Sequence, residues 1–411
     1  MMPKIKPFRG IRPHPAFVDK VVLQVENLSL ASARLIREDN PYSYVNMLVP
    51  KLEHPFMRGS KRELTYKKIN ENLTEFLDKG ILIRDSNPCL YVYRIIRQGI
   101  HQTGIWTITS IDDYLDNSIK KHELTQLSRQ NALIEYLGHT GVDANPVLIT
   151  YRPISEINAI IEKTVQQLPD LYFDKEQARH ELWKIDQEPD LSALVQAFAH
   201  LESSYIADGH HRAAAASALG IEKRRLNLKH TGQEDYNFFT SVYMATDQLQ
   251  IFSINRLIRN LGNMSAAAFL DKLAEYFHIS VSEQPVEPAQ FHEFGLYLGK
   301  KWYKLLVKSW PQVSSPVEEL DVSILQDYVF SKILGISDPR TDSRICFMAG
   351  LNPLDHLMEE VDQGNCAAAF TLFPTSVNQL MRIADAGEIM PPKSTWFEPK
   401  FQAGLIIHQI N

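Results

Sequence analysis

Three features of the sequence predict an α+β fold. Segments with apolar residues at helical spacing alternate irregularly with runs of β-branched and aromatic residues. Two of those runs, "LYVYRIIRQG" and "GIWTITSID", are joined by a polar, Gly-containing turn and read as a hairpin. A short apolar run, "SYIA", passes through "DGHHR" straight into an alanine-rich helical pattern. The length of 411 residues, with 44% hydrophobic and 22% charged residues, supports a sizeable core divided between more than one lobe.

Taken in order, "VDKVVLQVENL" reads as a strand, and "SLASARLIREDNPYSYV" as a helix capped by Ser29 and ending before Asn40 and Pro41. The segment "GSKRELTYKKINENLTEFLDKGIL" predicts a helix with a Lys-Gly stop, followed by the hairpin. Next, "SIKKHELTQLSRQNALIEYLG" reads as a helix closed by Gly138, with Glu123 in its first turn. "PVLITYR" predicts a strand, "EINAIIEKTVQQL" a helix, "HELWKID" a strand and "DLSALVQAFAHLE" a helix. "SYIAD" is the strand that leads to a helix starting near Ala213, and "YNFFTSVYMAT" and "LQIFSIN" are strands. Beyond about residue 260 the pattern is helix, the strand pair "FGLYLG" and "KWYKLLVK", the helix "DVSILQDYVFSKILG" and a last α/β run through "AAAFTLFPT".

A formal net charge of -6 provides no global field to attract nucleic acid or an anionic membrane, and no helix-turn-helix pattern is evident. Cys89, Cys346 and Cys366 form no CxxC pair, so neither a disulfide framework nor a zinc knuckle is expected, and a reducing cytoplasm fits best. The N-terminal "MMPKIKPFRGIRPHPAF" lacks the apolar core of a secretory signal, and no stretch approaches membrane-spanning length. The expectation is a soluble cytoplasmic protein.

Most of the polar chemistry is concentrated in "DGHHR". A strand, a glycine and a helix start present free backbone N–H groups and the positive end of the helix dipole, which together favour an anion. Gly209 lets the backbone approach a phosphate, and Arg212 adds a bidentate donor. Asp208 is either a helix cap or a Mg2+ ligand bridging phosphates, with His210 and His211 as phosphate-binding or partly buried polar groups. Zinc held by the adjacent His210 and His211 is disfavoured, because neighbouring residues do not share a helix face. Walker and Rossmann glycine loops are absent from the sequence. In "KKHELT", Glu123 occupies a position that suits either a first-turn acid or a general base. In "GEIMPPKSTWFEPKF", Lys393, Ser394 and Thr395 follow two stiffening prolines and suit a phosphate or carboxylate, or simply a solvated loop.

Taken together, "IKPFRGIRP", "NPYSYV", "IKKHELT", "YIADGHHRAAAA", "DPRTDSRICFMAG" and "MPPKSTWFEPKFQAGL" resemble a bacterial and archaeal family related to the ADP-dependent free L-serine kinases. The resemblance implies a ParB/sulfiredoxin-like nucleotide-binding core over residues 96–250. It also implies an N-terminal extension over 1–95 packed on that core, and a C-terminal α/β lobe over 251–411 that completes an active-site cleft. The implied activity transfers phosphate from ADP or ATP, with Mg2+, to the hydroxyl of a free amino acid, L-serine giving O-phospho-L-serine. Glu123 is the implied catalytic base, and Asp208 to Arg212 form the phosphate and metal loop. Lys393, Ser394 and Thr395 are the implied contribution of the second lobe. The chain departs from the pattern at Gln24, Val25, Glu26 and Asn27, where many relatives carry Pro-Pro-Tyr-Asp, so any role of that tyrosine or aspartate is either missing or passed to Glu26 or Asn27. The alternative from another class is a non-catalytic ParB-like nucleotide-binding switch.

Overall fold

The computed structural model describes residues 3–26, 28–52, 60–309 and 313–410. Their contacts divide the chain into two compact units, residues 1–249 with 399–411, and residues 250–398. Segment 399–411 therefore packs with the first unit, although its position in the sequence placed it in the C-terminal lobe. His408–Gln409 pairs with Val142–Asp143, while Ile407 bridges Ile11 and Ala403 bridges Leu23.

A nine-stranded mixed sheet organises the first unit. Its strands run Ile119–Lys120, Ser204–Asp208, Val147–Tyr151, Phe238–Ala245, Ile100–Ser110, Leu90–Arg97, Ala178–Ile185 and Leu171–Lys175, with Ile5–Lys6 added beside Ile100–Ser110. The expected hairpin is its centre: Leu90–Arg97 and Ile100–Ser110 pair antiparallel through Gln98 and Gly99, both at positive φ, the geometry a two-residue turn requires. Helices Leu127–Thr140, Ser155–Val165, Glu188–Phe198 and His210–Leu226 bring Leu137, Ile157, Leu194, Phe198 and Ala213 to a core with Ile149, Ile206 and Tyr243. The alanines of His210–Leu226 allow close approach. A Cβ on Gly220 would lie 2.6 Å from the Tyr236 carbonyl oxygen, so the helix cannot pack there with any side chain.

Helix Lys61–Asp78 begins with a capping box, in which the Ser60 hydroxyl accepts from the Glu63 N–H and the Glu63 carboxylate accepts from the Ser60 N–H. Ser29 caps Leu30–Asp39 as expected, accepting from the Ser32 N–H. Two expectations change. Val18–Val21 is a helical turn rather than a strand, and Leu23 contributes only a single bridge. Val18 and Val21 point inward three positions apart, a helical spacing that a run of apolar residues conceals. The helix expected from the "KKHELT" segment begins only at Leu127, and it ends at Gly141 (φ 64°) rather than Gly138. Glu123 therefore sits in the connecting loop, not in a helical turn.

The second unit carries a six-stranded sheet in the order Phe277–Ser282, Lys301–Val307, Glu293–Leu298, Ala368–Leu372, Ile254–Ile258, Ile345–Ala349. Every pairing is antiparallel, so this lobe is α+β rather than the α/β arrangement expected. The two-residue turn at Gly299 and Lys300, both at positive φ, dictates one of these pairings. Segment 321–333 starts as the helical turn Asp321–Ile324 and continues as the π-helix Leu325–Ile333.

Asp321 is buried in this unit, and its Oδ1 accepts the His292 N–H at 2.9 Å. Burial pushes its carboxyl up to about 7, against the lowering effect of that hydrogen bond. A carboxyl whose pKa is raised on folding stabilises the native state while protonated, and that stability is lost as pH rises from the unfolded value towards 7. Asp321→Asn is therefore expected to remove about 3 kcal/mol of pH dependence between pH 5 and pH 8. Urea unfolding of both proteins at the two pH values checks this, and equal slopes with pH would contradict it.

Candidate phosphate-binding site

Sheet topology creates the site. Ile119–Lys120 runs parallel to Ser204–Asp208, with Ser204 opposite Ile119 and Tyr205 opposite Lys120. Parallel neighbours release their C-terminal ends at the same edge, where open sheets hold ligands. The loop after Lys120 therefore lies beside the loop after Asp208, although the two are far apart in sequence.

Gly209 caps the helix His210–Leu226, which begins three residues before the expected start. Its φ of 102° is in the left-handed region, and no side chain caps the helix. The Arg212 guanidinium folds back over it, since a Cβ at Gly209 would meet the Arg212 NH2 nitrogen at 2.7 Å. Arg212 Nε is buried without a hydrogen-bond partner among the described residues. An uncapped helix start beside an unspent guanidinium donor is an arrangement that an anion completes.

Asp208 stands at the strand end, half-buried. Lys400 donates to its Oδ2 at 2.9 Å, and Arg212 NH2 lies 3.9 Å from the same oxygen. Burial opposes ionisation, but Lys400 and Arg212 outweigh it and hold the carboxyl well below the ordinary aspartate range. Mg2+ was the expected partner of Asp208. An oxygen already shared by two protein cations is a poor anchor for a third, so this donor set does not fit a resident Mg2+.

The second loop contributes His122 and Glu123. His122 and His210 are 2% and 3% exposed, with ring centroids 4.5 Å apart and planes nearly perpendicular. Burial lowers His122 to about 4, and burial together with neighbouring His122 holds His210 well below its ordinary value. Both are neutral at pH 7. Glu123 is exposed, with its Oε2 3.8 Å from His210 Nδ1. His211 Nε2 accepts the Gln126 N–H at 2.9 Å, which ties the Glu123 loop to the helix start. His211→Ala is expected to release that loop, seen as faster amide exchange at residues 121–126, and unchanged exchange would mean that the bond does not hold it.

Glu26 also belongs to this cluster. Burial raises its carboxyl pKa while Arg212 and Lys400 pull it down, and its Oε2 is buried without a hydrogen-bond partner among the described residues. Asn27, the other residue suggested for that role, lies outside the described residues. Asp143, raised to about 6 by burial, accepts the Thr240 N–H and feels Arg212 from the sheet side. Lys393, Ser394 and Thr395 belong to the second unit. There Lys393 adopts φ 59°, its carbonyl accepts from the buried Arg256, and the Ser394 hydroxyl donates to the Pro391 carbonyl.

Sequence reasoning assigned no role to His122 or Lys400, both within quoted motifs. Only the pairing of the two parallel strands, and the return of 399–411 to the first unit, reveals them.

Fold and site define an α+β protein with an uncapped helix start, flanked by Arg212 and Lys400, at the junction of a sheet strand and a helix. The chain belongs to the family described as "Protein of unknown function (DUF1015)", which matches residues 5–323. None of the curated proteins matches it. Among solved structures it is similar to a free serine kinase mutant in complex with AMP, at 14% identity and a TM-score of 0.39, covering 77% of this chain and 94% of that one. A free serine kinase mutant in complex with ADP matches at 15% identity and a TM-score of 0.39, covering 77% and 95%. A conserved hypothetical protein from Pyrococcus furiosus matches at 15% and 0.36, covering 72% and 91%. No helix among the described residues is long and apolar enough to cross a membrane.

Proposed function

We propose that this chain is a phosphotransferase that moves a phosphoryl group from ADP or ATP to the hydroxyl of a free amino acid, L-serine giving O-phospho-L-serine. One observation carries the reading: the uncapped, Gly209-initiated helix start lies beside Arg212 and Lys400, with the exposed carboxylate of Glu123 alongside. Serine as acceptor rests on the motif resemblance, and so does the ParB/sulfiredoxin-like description of the core.

Phosphoryl transfer needs positioning and charge neutralisation more than covalent help from the protein. In this reading the helix-start N–H groups, with Gly209 allowing close approach, and Arg212 hold the phosphates. His210 and His211 shape the helix start, and Asp208 keeps Lys400 and Arg212 in place. Glu123 accepts the serine hydroxyl proton as that oxygen bonds to the terminal phosphorus, and the bond to the leaving AMP or ADP breaks. Lys393, Ser394 and Thr395 enter this reading as further phosphate- or substrate-binding residues on the motif resemblance alone, with Lys393 as a cation that neutralises developing charge.

The test is direct. Purified protein is incubated with serine, Mg2+ and either ADP or ATP, and O-phosphoserine is measured. Formation with at least one donor is expected. Nucleotide binding without phosphoserine from either donor would overturn the kinase reading in favour of a nucleotide-binding switch.

A further inference from the structure

His122, Glu123 and His210 each present one ligand-capable atom, and these atoms all lie within 4.8 Å of one another. We propose that the three side chains form a binding site for a borderline divalent cation such as Zn2+, and that occupancy of this site withdraws Glu123 from proton transfer. The inference goes beyond the kinase reading, because such an ion competes with the base and does not serve the nucleotide.

The geometry is close to what a small cation needs. Zinc bonds of about 2.1 Å in tetrahedral geometry place ligand atoms about 3.4 Å apart, so closing the triad takes at most about 1.4 Å, a shift that side-chain rotation of the exposed Glu123 can share. Glu123 Oε2 and His210 Nδ1, at 3.8 Å, are already close to that spacing. Two imidazoles and one carboxylate, with further positions open to solvent through the exposed Glu123, is a ligand set that selects Zn2+, Co2+ or Mn2+ over Mg2+.

A second observation is independent of this spacing. His210 is 3% exposed, yet its Nε2 has no hydrogen-bond partner among the described residues. A buried imidazole without such a partner is costly as a mere core residue, and a ring turn that presents Nε2 in place of Nδ1 would give it the ion as a partner.

The test uses untagged, metal-free full-length protein titrated with Co2+ alone, without nucleotide or serine. One equivalent is expected to bind with visible d–d absorption, and Zn2+ should displace it. Glu123→Gln, at an exposed position, should weaken binding at least about tenfold, and His122→Gln should do the same. No absorption change, or binding that both substitutions leave intact, would overturn the site. Because the readout is spectroscopic, cobalt binding by a protein that makes no phosphoserine would defeat only the kinase reading. An active enzyme that binds no cobalt would defeat only the metal site.

Discussion

Glu123→Gln is expected to lower kcat for phosphoserine formation by about 10²- to 10⁴-fold while nucleotide affinity stays nearly unchanged. Glu123 is the exposed member of the cluster, and its Oε2 stands 3.8 Å from His210 Nδ1 at the helix start. Removing its charge takes away the proton acceptor and leaves Arg212 and Lys400 in the chain. The amide is nearly isosteric, and the position tolerates either group sterically. Steady-state kinetics with a separate nucleotide titration check the prediction. Equal loss of turnover and of nucleotide binding would give Glu123 a structural role instead.

Lys400→Met has the largest expected effect on the Asp208 cluster itself. Lys400 donates to Asp208 at 2.9 Å and its side chain is 9% exposed, whereas that of Asp208 is 36% exposed, so the variant leaves a half-buried carboxylate facing Arg212 alone. Losing one partner of such a solvent-screened pair costs about 1 kcal/mol of stability, and nucleotide affinity should fall as well, because Arg212 is drawn towards Asp208. Adding Asp208→Asn removes the stranded charge and should restore part of the stability, with a coupling of about 1 kcal/mol in the double-mutant cycle. Urea unfolding of the four proteins measures it. Additive losses would mean that the pair is not coupled.

Local structure was largely legible in the sequence because its signals are local. Ser29 and the Ser60/Glu63 box mark helix starts, Gln98 and Gly99 mark a hairpin, and the alternating β-branched runs mark the central strands. The strand to Gly209 to helix junction was legible for the same reason. Errors arose where two signals competed. At the end of Leu127–Thr140, Gly138 and Gly141 are both plausible stops, but only Gly141 takes the left-handed conformation, while Gly138 packs towards Leu219. The start of that helix was placed too early because "KKHELT" carries an acid where a first turn would favour one.

Long-range placement left no mark in the sequence. Lys400 meets Asp208 across 192 residues, and it does so because Leu23, Ile11 and Val142–Asp143 draw segment 399–411 back to the first unit. His122 joins His210 because two short strands happen to be parallel neighbours, a fact of topology rather than of motif. Lys393, Ser394 and Thr395 stand in the same quoted stretch as Lys400, yet belong to the other unit. A contiguous motif thus serves two separate bodies.

The central claim is that Glu123 faces an acceptor hydroxyl beside a phosphate held at Gly209 and Arg212. A structure of the protein with ADP, Mg2+ and serine tests it most directly. The account predicts the nucleotide phosphates on the helix start in contact with Arg212, and the serine hydroxyl within hydrogen-bond reach of Glu123. Phosphates bound elsewhere on the chain, or a serine whose hydroxyl points away from Glu123 while the phosphates sit at Gly209, would contradict it.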